Sequence, residues 1–246
     1  MKKKNQQFRE NLTFPFLFQP TFEEIRAGFE MKGHWNPLFF KNDHPIVLEL
    51  GCGKGEYTVG LAKRNPEKNF IGLDLKGARL WRGCKTVEEE KITNVAFIRT
   101  SAEFLEYIFG KAELSELWIA FPEPHPQKAK AKKRFTSPHF HRRYRNILQK
   151  EGIIHLKTDH PEFYHYTREQ IAKEGHLLLA EYNNLYQEDP DEVVKEIQTF
   201  YEQQWLRKGR TISYLRYKLN SECYNRPYCI TTNIFTEHFR KLQDDN

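Results

Sequence analysis

Short apolar runs alternate with amphipathic stretches from Pro45 onward. IVLEL (46–50) ends at a glycine-rich loop. That run reads as a short buried strand, and NFIGLDL (69–75), NVAFIRT (94–100), ELWIAF (116–121), GIIHLKT (152–158) and HLLLAEY (176–182) read as the second to sixth strands. Between them the apolar spacing turns helical. Tyr57, Leu61 and Ala62 share a face after the glycine loop, and a second helix is predicted from about Lys76 to Lys91. A third starts with Ser137 as N-cap and Pro138 in its first turn. Its buried face is Phe140, Tyr144, Ile147 and Leu148, with His139, Arg142 and Arg143 pointing elsewhere. A long charged helix is predicted around 190–208, before a last alternating strand, TISYLRYKL (211–219).

This alternation predicts an α/β fold with a parallel sheet covered on both faces. Ligands of such sheets bind beyond the C-terminal ends of the strands. Residues 1–44 read as irregular with some helix. Phe8, Phe14, Phe16 and Phe18 make this stretch too aromatic for a disordered tail, so it is expected to pack on the domain or close over a site. The domain itself spans 45–219, and 220–246 forms a tail.

Composition adds a partner. The 246-residue chain carries a net charge of +6, concentrated at Lys128, Lys130, Lys132, Lys133 and Arg134 and continued by His139, Arg142, Arg143 and Arg145. Such a patch suits a phosphate backbone. The interleaved Phe135, Phe140 and Tyr144 read as core rather than as base-stacking groups. No run reaches the ~20 apolar residues of a membrane span, and the basic N-terminus lacks a cleavage site. A soluble cytoplasmic protein is expected, as a monomer or a homodimer. The four cysteines, Cys52, Cys84, Cys223 and Cys229, form no C-x-x-C pair and no zinc spacing. Free thiols and no metal are expected, Cys223 and Cys229 being the pair an oxidising compartment would bridge.

Two stretches carry candidate chemistry. In ELGCGKGE (49–56), Gly51, Gly53 and Gly55 permit a tight turn and close approach of a ligand. A dinucleotide fingerprint would need a third glycine where Glu56 stands. Acids at Glu49 and Glu56 suit a ligand with a cationic end, such as S-adenosylmethionine. Asp74 closes the second strand, where a carboxylate accepts both ribose hydroxyls. Ser101, after the third strand, reads equally as an adenine contact or as a helix N-cap. In FPEPHP (121–126), Pro122 and Pro124 restrict the backbone around Glu123. That acid sits at the strand end where a methyltransferase transfers its methyl group.

ELGCGKGEY, FIGLDL, FPEPHP with the Lys/Arg run after it, HLKTDHPEF and TFYEQQW together resemble the bacterial tRNA (guanine-N7)-methyltransferases of the TrmB type, over about Pro45 to Leu219. ELGCG alone is common to many methyltransferases; the combination is far more specific. The resemblance implies a Rossmann-like class I methyltransferase, with a mostly parallel seven-stranded sheet, helices on both faces and an antiparallel last strand. It also implies methyl transfer from S-adenosylmethionine to N7 of guanine 46 in the tRNA variable loop. By similarity Glu49, Gly51, Gly53, Asp74 and Ser101 hold the cofactor, and Glu123 takes the place of the acid between cofactor and base. Gln127 or Lys128, with Asp159, Thr199, Phe200, Tyr201 and Glu202, contacts the substrate.

The chain departs from the family pattern in three places. Glu123 replaces the usual Asp. His125 replaces a Trp, and gapless alignment puts Gln127, with Lys128 beside it, at a lysine position. Ser101 stands where many members have Asp. Two rival readings remain open: a methyltransferase-fold protein that binds tRNA without turnover, and an RNA methyltransferase with another target base. Against the latter, Pro122-Glu123-Pro124-His125 lacks the N-P-P-aromatic signature of enzymes acting on exocyclic amines. A bland alternative exists for Asp159 as well, a helix N-cap before Pro161.

Overall fold

The computed structural model describes residues 3–188 and 192–220; Cys223, Cys229 and nearly all of the expected tail lie outside them. The described residues fall into two compact units, one up to Gly110 and one from Lys111. None of their helices is long and apolar enough to cross a membrane.

The first unit runs α1 (Lys3–Asn11), β1 (Leu17–Phe18), α2 (Phe22–Gly28), β2 (Ile46–Leu50), α3 (Glu56–Arg64), β3 (Asn69–Asp74), α4 (Gly77–Glu89), β4 (Val95–Arg99) and α5 (Leu105–Ile108). Its strands lie in the order β1-β4-β3-β2, and each neighbouring pair is parallel. The register aligns Glu49, Gly72 and Phe97 across three strands. Phe97 is fully buried, and three glycines make room for its ring. A Cβ at Gly55 would lie 2.6 Å from it, at Gly72 2.7 Å and at Gly83 2.8 Å. The ring therefore sets how closely β3, α4 and the glycine loop approach.

The N-terminal stretch packs within this unit. β1 adds to the sheet edge, opposite Phe97 and Ile98, and the Phe97 N–H donates to the Phe16 carbonyl (2.8 Å). Phe18 stands edge-on to Trp35 (4.9 Å). Trp35 is fully buried, its indole N–H on the Ile108 carbonyl (3.2 Å). Trp81 donates to Glu10 (2.7 Å) and Asn11 to the Gly77 carbonyl (2.9 Å), which fastens α1 to α4. Among the described residues eight strands result where seven were expected. The extra strand, β1, is two residues between Pro15 and Pro20, too short to show a period.

The second unit runs β5 (Leu114–Ala120), α6 (Pro138–Ile147), β6 (Leu148–Thr158), α7 (Pro161–Lys173), β7 (Leu177–Tyr182), α8 (Glu192–Glu196), α9 (Phe200–Arg207) and β8 (Ser213–Lys218). Its order is β5-β6-β8-β7. β5 and β6 are parallel, and the last strand is antiparallel to both neighbours, as expected.

Three expectations need correction here. The long helix at 190–208 is two short ones, because Thr199 caps α9 and accepts the Glu202 N–H (3.2 Å), which holds the entering chain extended. Ser137 occupies the N-cap position of α6, but its hydroxyl donates to the Lys132 carbonyl (3.1 Å) and caps nothing. Arg143 does not point outward: it is 1% exposed. Arg145 donates to Glu174 (3.3 Å), so neither arginine belongs to an open basic surface.

Replacing Gly72 by alanine puts a methyl group 2.7 Å from the Phe97 ring and 2.8 Å from the Thr58 hydroxyl. Overpacking of this kind costs about 1–3 kcal/mol. Urea titration of Gly72→Ala should show a midpoint lowered accordingly; an unchanged midpoint would mean that the slot has slack.

Candidate active site

Candidate residues gather in two groups, one in each unit. In the first, the chain leaves β2 through Gly51, Gly53 and Gly55, at φ of 70°, 58° and 70°. These angles are open to glycine at little cost. The N–H groups of Gly51 and Cys52 donate to the Leu73 carbonyl (2.8 and 3.0 Å). Asp74 then ties the end of β3 to the loop: one oxygen accepts the Gly53 N–H (2.9 Å), the other the Lys76 N–H (2.8 Å). Each oxygen keeps further acceptor capacity.

Glu49 is 4% exposed and takes the Thr58 N–H on Oε2 (2.7 Å), together with the Thr58 hydroxyl. It thereby satisfies an N-terminal donor of α3 that Gly55, the N-cap residue, has no side chain to reach. Burial pushes the Glu49 carboxyl up to about 8, against the two Thr58 hydrogen bonds. Ser101 is half-buried and does act as a cap, accepting the Glu103 N–H (3.3 Å).

In the second unit the chain leaves β5 at Phe121, with φ +51°, and turns again at His125, with φ +43°. Both are uncommon for side chains of this size. The Phe121 N–H donates to the Lys157 carbonyl (2.8 Å). Between these turns Glu123, 81% exposed, approaches His125 Nδ1 at 3.6 Å. Burial of the His125 ring lowers its basicity, with Lys133, Lys130 and Arg134 adding to the effect. Arg134 donates twice to the His125 carbonyl (3.1 and 3.0 Å) and lies 4.2 Å over the Tyr166 ring. It is thus a buckle for the loop rather than an open cation. Within the buckle Lys128, Lys130, Lys132 and Lys133 are exposed on a 3-10 helical segment, with Gln127 exposed at its start. Phe140 and Tyr144 are core, and the Tyr144 hydroxyl donates to the Phe135 carbonyl (2.7 Å).

The remaining candidates come from the ends of β6 and α9. Asp159 accepts from Arg210 (2.8 Å), whose guanidinium lies 4.1 Å over Trp205. The N-cap position of α7 is His160, so Asp159 does not cap it. Phe200 and Tyr201 are 49% and 50% exposed. Glu202, by contrast, is fully buried and paired with Lys157, also fully buried (2.7 Å). Tyr186 donates to the same Glu202 oxygen (2.7 Å). The motif HLKTDHPEF contains Lys157 but gave it no role, and Tyr186 lies outside every motif. The available signal was a lysine inside the apolar run GIIHLKT, where a charge must find a partner.

Among the described residues one trio, His141, Glu174 and His176, brings ligand atoms within 4.8 Å. The Asn220 N–H donates to His176 Nδ1 (3.2 Å), which leaves the proton on Nε2 and no lone pair there for an ion. Cys52 and Cys84 are free and buried, and burial raises both thiols, Cys84 to about 12.

Comparison with known proteins now bears on the chain as a whole. A family profile described as "Putative methyltransferase" matches residues 43–215. A Christiangramia forsetii protein named tRNA (guanine-N(7)-)-methyltransferase is 52% identical over 221 residues, 89% of this chain and 98% of its own length. A Porphyromonas gingivalis protein of the same name is 47% identical, over 87% of this chain and 90% of its own. The chain belongs to the tRNA (guanine-N7)-methyltransferase family. Solved structures agree on the fold. The 16S rRNA methyltransferase KamB superposes with a TM-score of 0.55 at 16% identity, over 81% of this chain and 92% of that one. An antibiotic-related methyltransferase gives 0.54 at 18%, over 72% and 88%. The class I methyltransferase fold expected from the resemblance is therefore present.

A carboxyl raised by burial has a consequence for stability. Between its ordinary value near 4.5 and its folded value of about 8, Glu49 holds more protons folded than unfolded. Its contribution to stability is complete below pH 4.5 and is lost as pH rises toward 8. Glu49→Gln keeps the acceptor for Thr58 and removes the titration. Across that range the Tm of the wild type should fall relative to the variant; parallel Tm curves would refute the buried, protonated carboxyl.

Proposed function

We propose that this enzyme transfers a methyl group from S-adenosylmethionine to N7 of guanine 46 in the variable loop of tRNA. The observation that carries the proposal is the exposed Glu123, fixed between two prolines and buckled to four exposed lysines. An acid for a developing cation and a basic surface for phosphates are combined on one short loop.

The cofactor-side residues fit the donor. Glu49 and Asp74 are carboxylates around a glycine loop, and a Cβ at Gly53 would meet nothing within 4 Å. An acidic set of this kind suits a ribose and a cationic amino-acid end, and is a poor host for a pyrophosphate. Glu49, Gly51, Gly53, Asp74 and Ser101 would hold S-adenosylmethionine, which supplies an electrophilic methyl group.

The chain's own contribution is placement. Guanine N7 carries an in-plane lone pair, so no proton has to leave before it attacks. Holding the base in line is then the main catalytic term, with carboxylates offsetting the positive charge that develops on the ring. Glu123 is the acid assigned to that role. Asp159 and Glu202 are acceptors for the guanine N1–H and N2–H edge, with Thr199 as cap of the segment. Exposed Phe200 and Tyr201 offer faces for stacking an unpaired base. Gln127 and Lys128 begin the lysine row that grips the backbone. A tRNA substrate implies a cytoplasmic enzyme.

Labelled S-adenosylmethionine and an unmodified tRNA transcript provide the test, run beside a transcript with guanine 46 replaced. N7-methylguanosine that depends on that guanine is expected. Binding of tRNA with no incorporation would support the rival of a binding protein without turnover, and label on another base would support a different target.

Two further outcomes follow from the loop. Glu123→Gln should lower kcat by at least about tenfold with little change in tRNA affinity, since it removes charge stabilisation and leaves the shape of the loop intact. Converting Lys128, Lys130, Lys132 and Lys133 to alanine should flatten the slope of log affinity against log salt, by about one for each phosphate left unneutralised.

A further inference from the structure

The Lys157–Glu202 pair is not needed to close the sheet, yet it is more deeply buried than any residue of the loop that carries Glu123. Its hydrogen bonds are lopsided. The Lys157 ammonium has three N–H donors. They reach the Val194 carbonyl (2.7 Å), the Ile197 carbonyl (3.3 Å) and Glu202 Oε1 (2.7 Å). Glu202 Oε1 also accepts from the Tyr186 hydroxyl (2.7 Å). Glu202 Oε2 is equally buried and has no hydrogen-bond partner. One oxygen of the carboxylate accepts twice, and the other meets no donor of the protein.

A buried acceptor with no donor is costly to keep, because it has given up water without a replacement. Native structures rarely retain one without a use for it. Two amide-like N–H groups on the edge of a purine are the donors that would fill it. We infer that Lys157 and Tyr186 are positioning residues of the methyl transfer. Together they hold Glu202 ionised and turned so that Oε2 is presented to the guanine N–H edge. The inference rests on the reading above that Glu202 contacts guanine, and it names what makes that contact possible.

The chemistry requires such holders. Burial favours the neutral acid, which pushes Glu202 up and Lys157 down. A protonated Glu202 would offer guanine N1–H a weaker acceptor and no charge to offset the positive ring. Lys157, from β6, is the cation facing it. Tyr186, from the loop after β7, is the other titratable group in contact, itself raised by burial. Thr199 accepts the Glu202 N–H on its hydroxyl, and its own backbone N–H favours the ionised carboxylate. Asp159 and Arg210 neutralise one another (2.8 Å). By bonding to two carbonyls at the end of α8, Lys157 also fixes where α9 begins, and so where Thr199, Phe200 and Tyr201 stand.

The test is the pH dependence of kcat and of KM for tRNA, in wild type, Lys157→Met, Tyr186→Phe and Glu202→Gln, with Tm as a check on folding. Loss of the opposing charge should move the acid limb of kcat to higher pH by about one to three units in Lys157→Met. Tyr186→Phe removes only a hydroxyl and should give a smaller shift in the same direction. Glu202→Gln should lower kcat by tenfold or more and abolish the limb. Should Lys157→Met not fold, the Tyr186→Phe shift decides the matter alone. A folded Lys157→Met or Tyr186→Phe whose pH profile overlays the wild type, while Glu202→Gln is impaired, overturns this inference and spares the guanine contact. A fully active Glu202→Gln overturns the contact itself.

Discussion

A lysine and a glutamate with no exposure at all can remain charged only if their mutual attraction and their hydrogen bonds offset the loss of water. Lys157 and Glu202 meet that condition narrowly: all three ammonium donors are used, and one carboxylate oxygen accepts twice. The segment from Thr199 to Glu202 depends on it. The same ammonium binds the Val194 carbonyl in α8, the Ile197 carbonyl just after it and the acid in the first turn of α9. Replacing the pair by apolar residues of similar size would cost little packing. What would disappear is a single position for Thr199 to Glu202. Buried charge of this kind is better understood as specifying a geometry than as adding stability.

The first unit treats its buried acid in the opposite way. Glu49 is as enclosed as Glu202 but has no lysine; its partner is Thr58, through an N–H and a hydroxyl. Hydrogen bonds without a counter-charge leave burial in control, and the carboxyl rises to about 8. A cationic ligand would supply the missing charge and favour the ionised form. One acid faces a cation of the protein itself, and the other has only neutral donors opposite it. Both arrangements follow from what lies opposite each carboxylate, and neither from the glutamate itself.

Most of the sheet was legible because buried parallel strands appear as apolar runs, and five such runs mark β2 to β6 within a few residues of their observed limits; HLLLAEY marks β7 as well, although β7 is an antiparallel edge strand with Leu177 and Leu179 exposed. The glycine loop was legible for a related reason, since few residues other than glycine accept its φ values. What escaped was decided by tertiary partners. β1 is too short to show a period and is held by Phe97 and Ile98. The break before α9 was spelled T-x-x-E at Thr199 to Glu202, a capping-box pattern, but the pattern does not show that the glutamate also pairs with Lys157. Arg143 sits on the outward side of a helix when only the apolar face is counted, and it is nonetheless 1% exposed. Charge at such positions is silent in a hydrophobic pattern until its partners are known.

The loop that carries Glu123 shows how rigidity is divided. Phe121 and His125 both hold positive φ, a strain of order 1–3 kcal/mol at each residue. It persists because each end is fastened: the Phe121 N–H to β6, and the His125 carbonyl to Arg134 by two hydrogen bonds. Prolines on both sides of Glu123 remove most of the freedom left between those ends. The basic run is accordingly not uniform. Arg134 is used to hold the loop, as a planar fork stacked on Tyr166 can and a lysine cannot. The four lysines remain solvated and free to exchange partners. With the backbone fixed at both ends, the reach of the Glu123 carboxylate is set by its own side-chain rotamers.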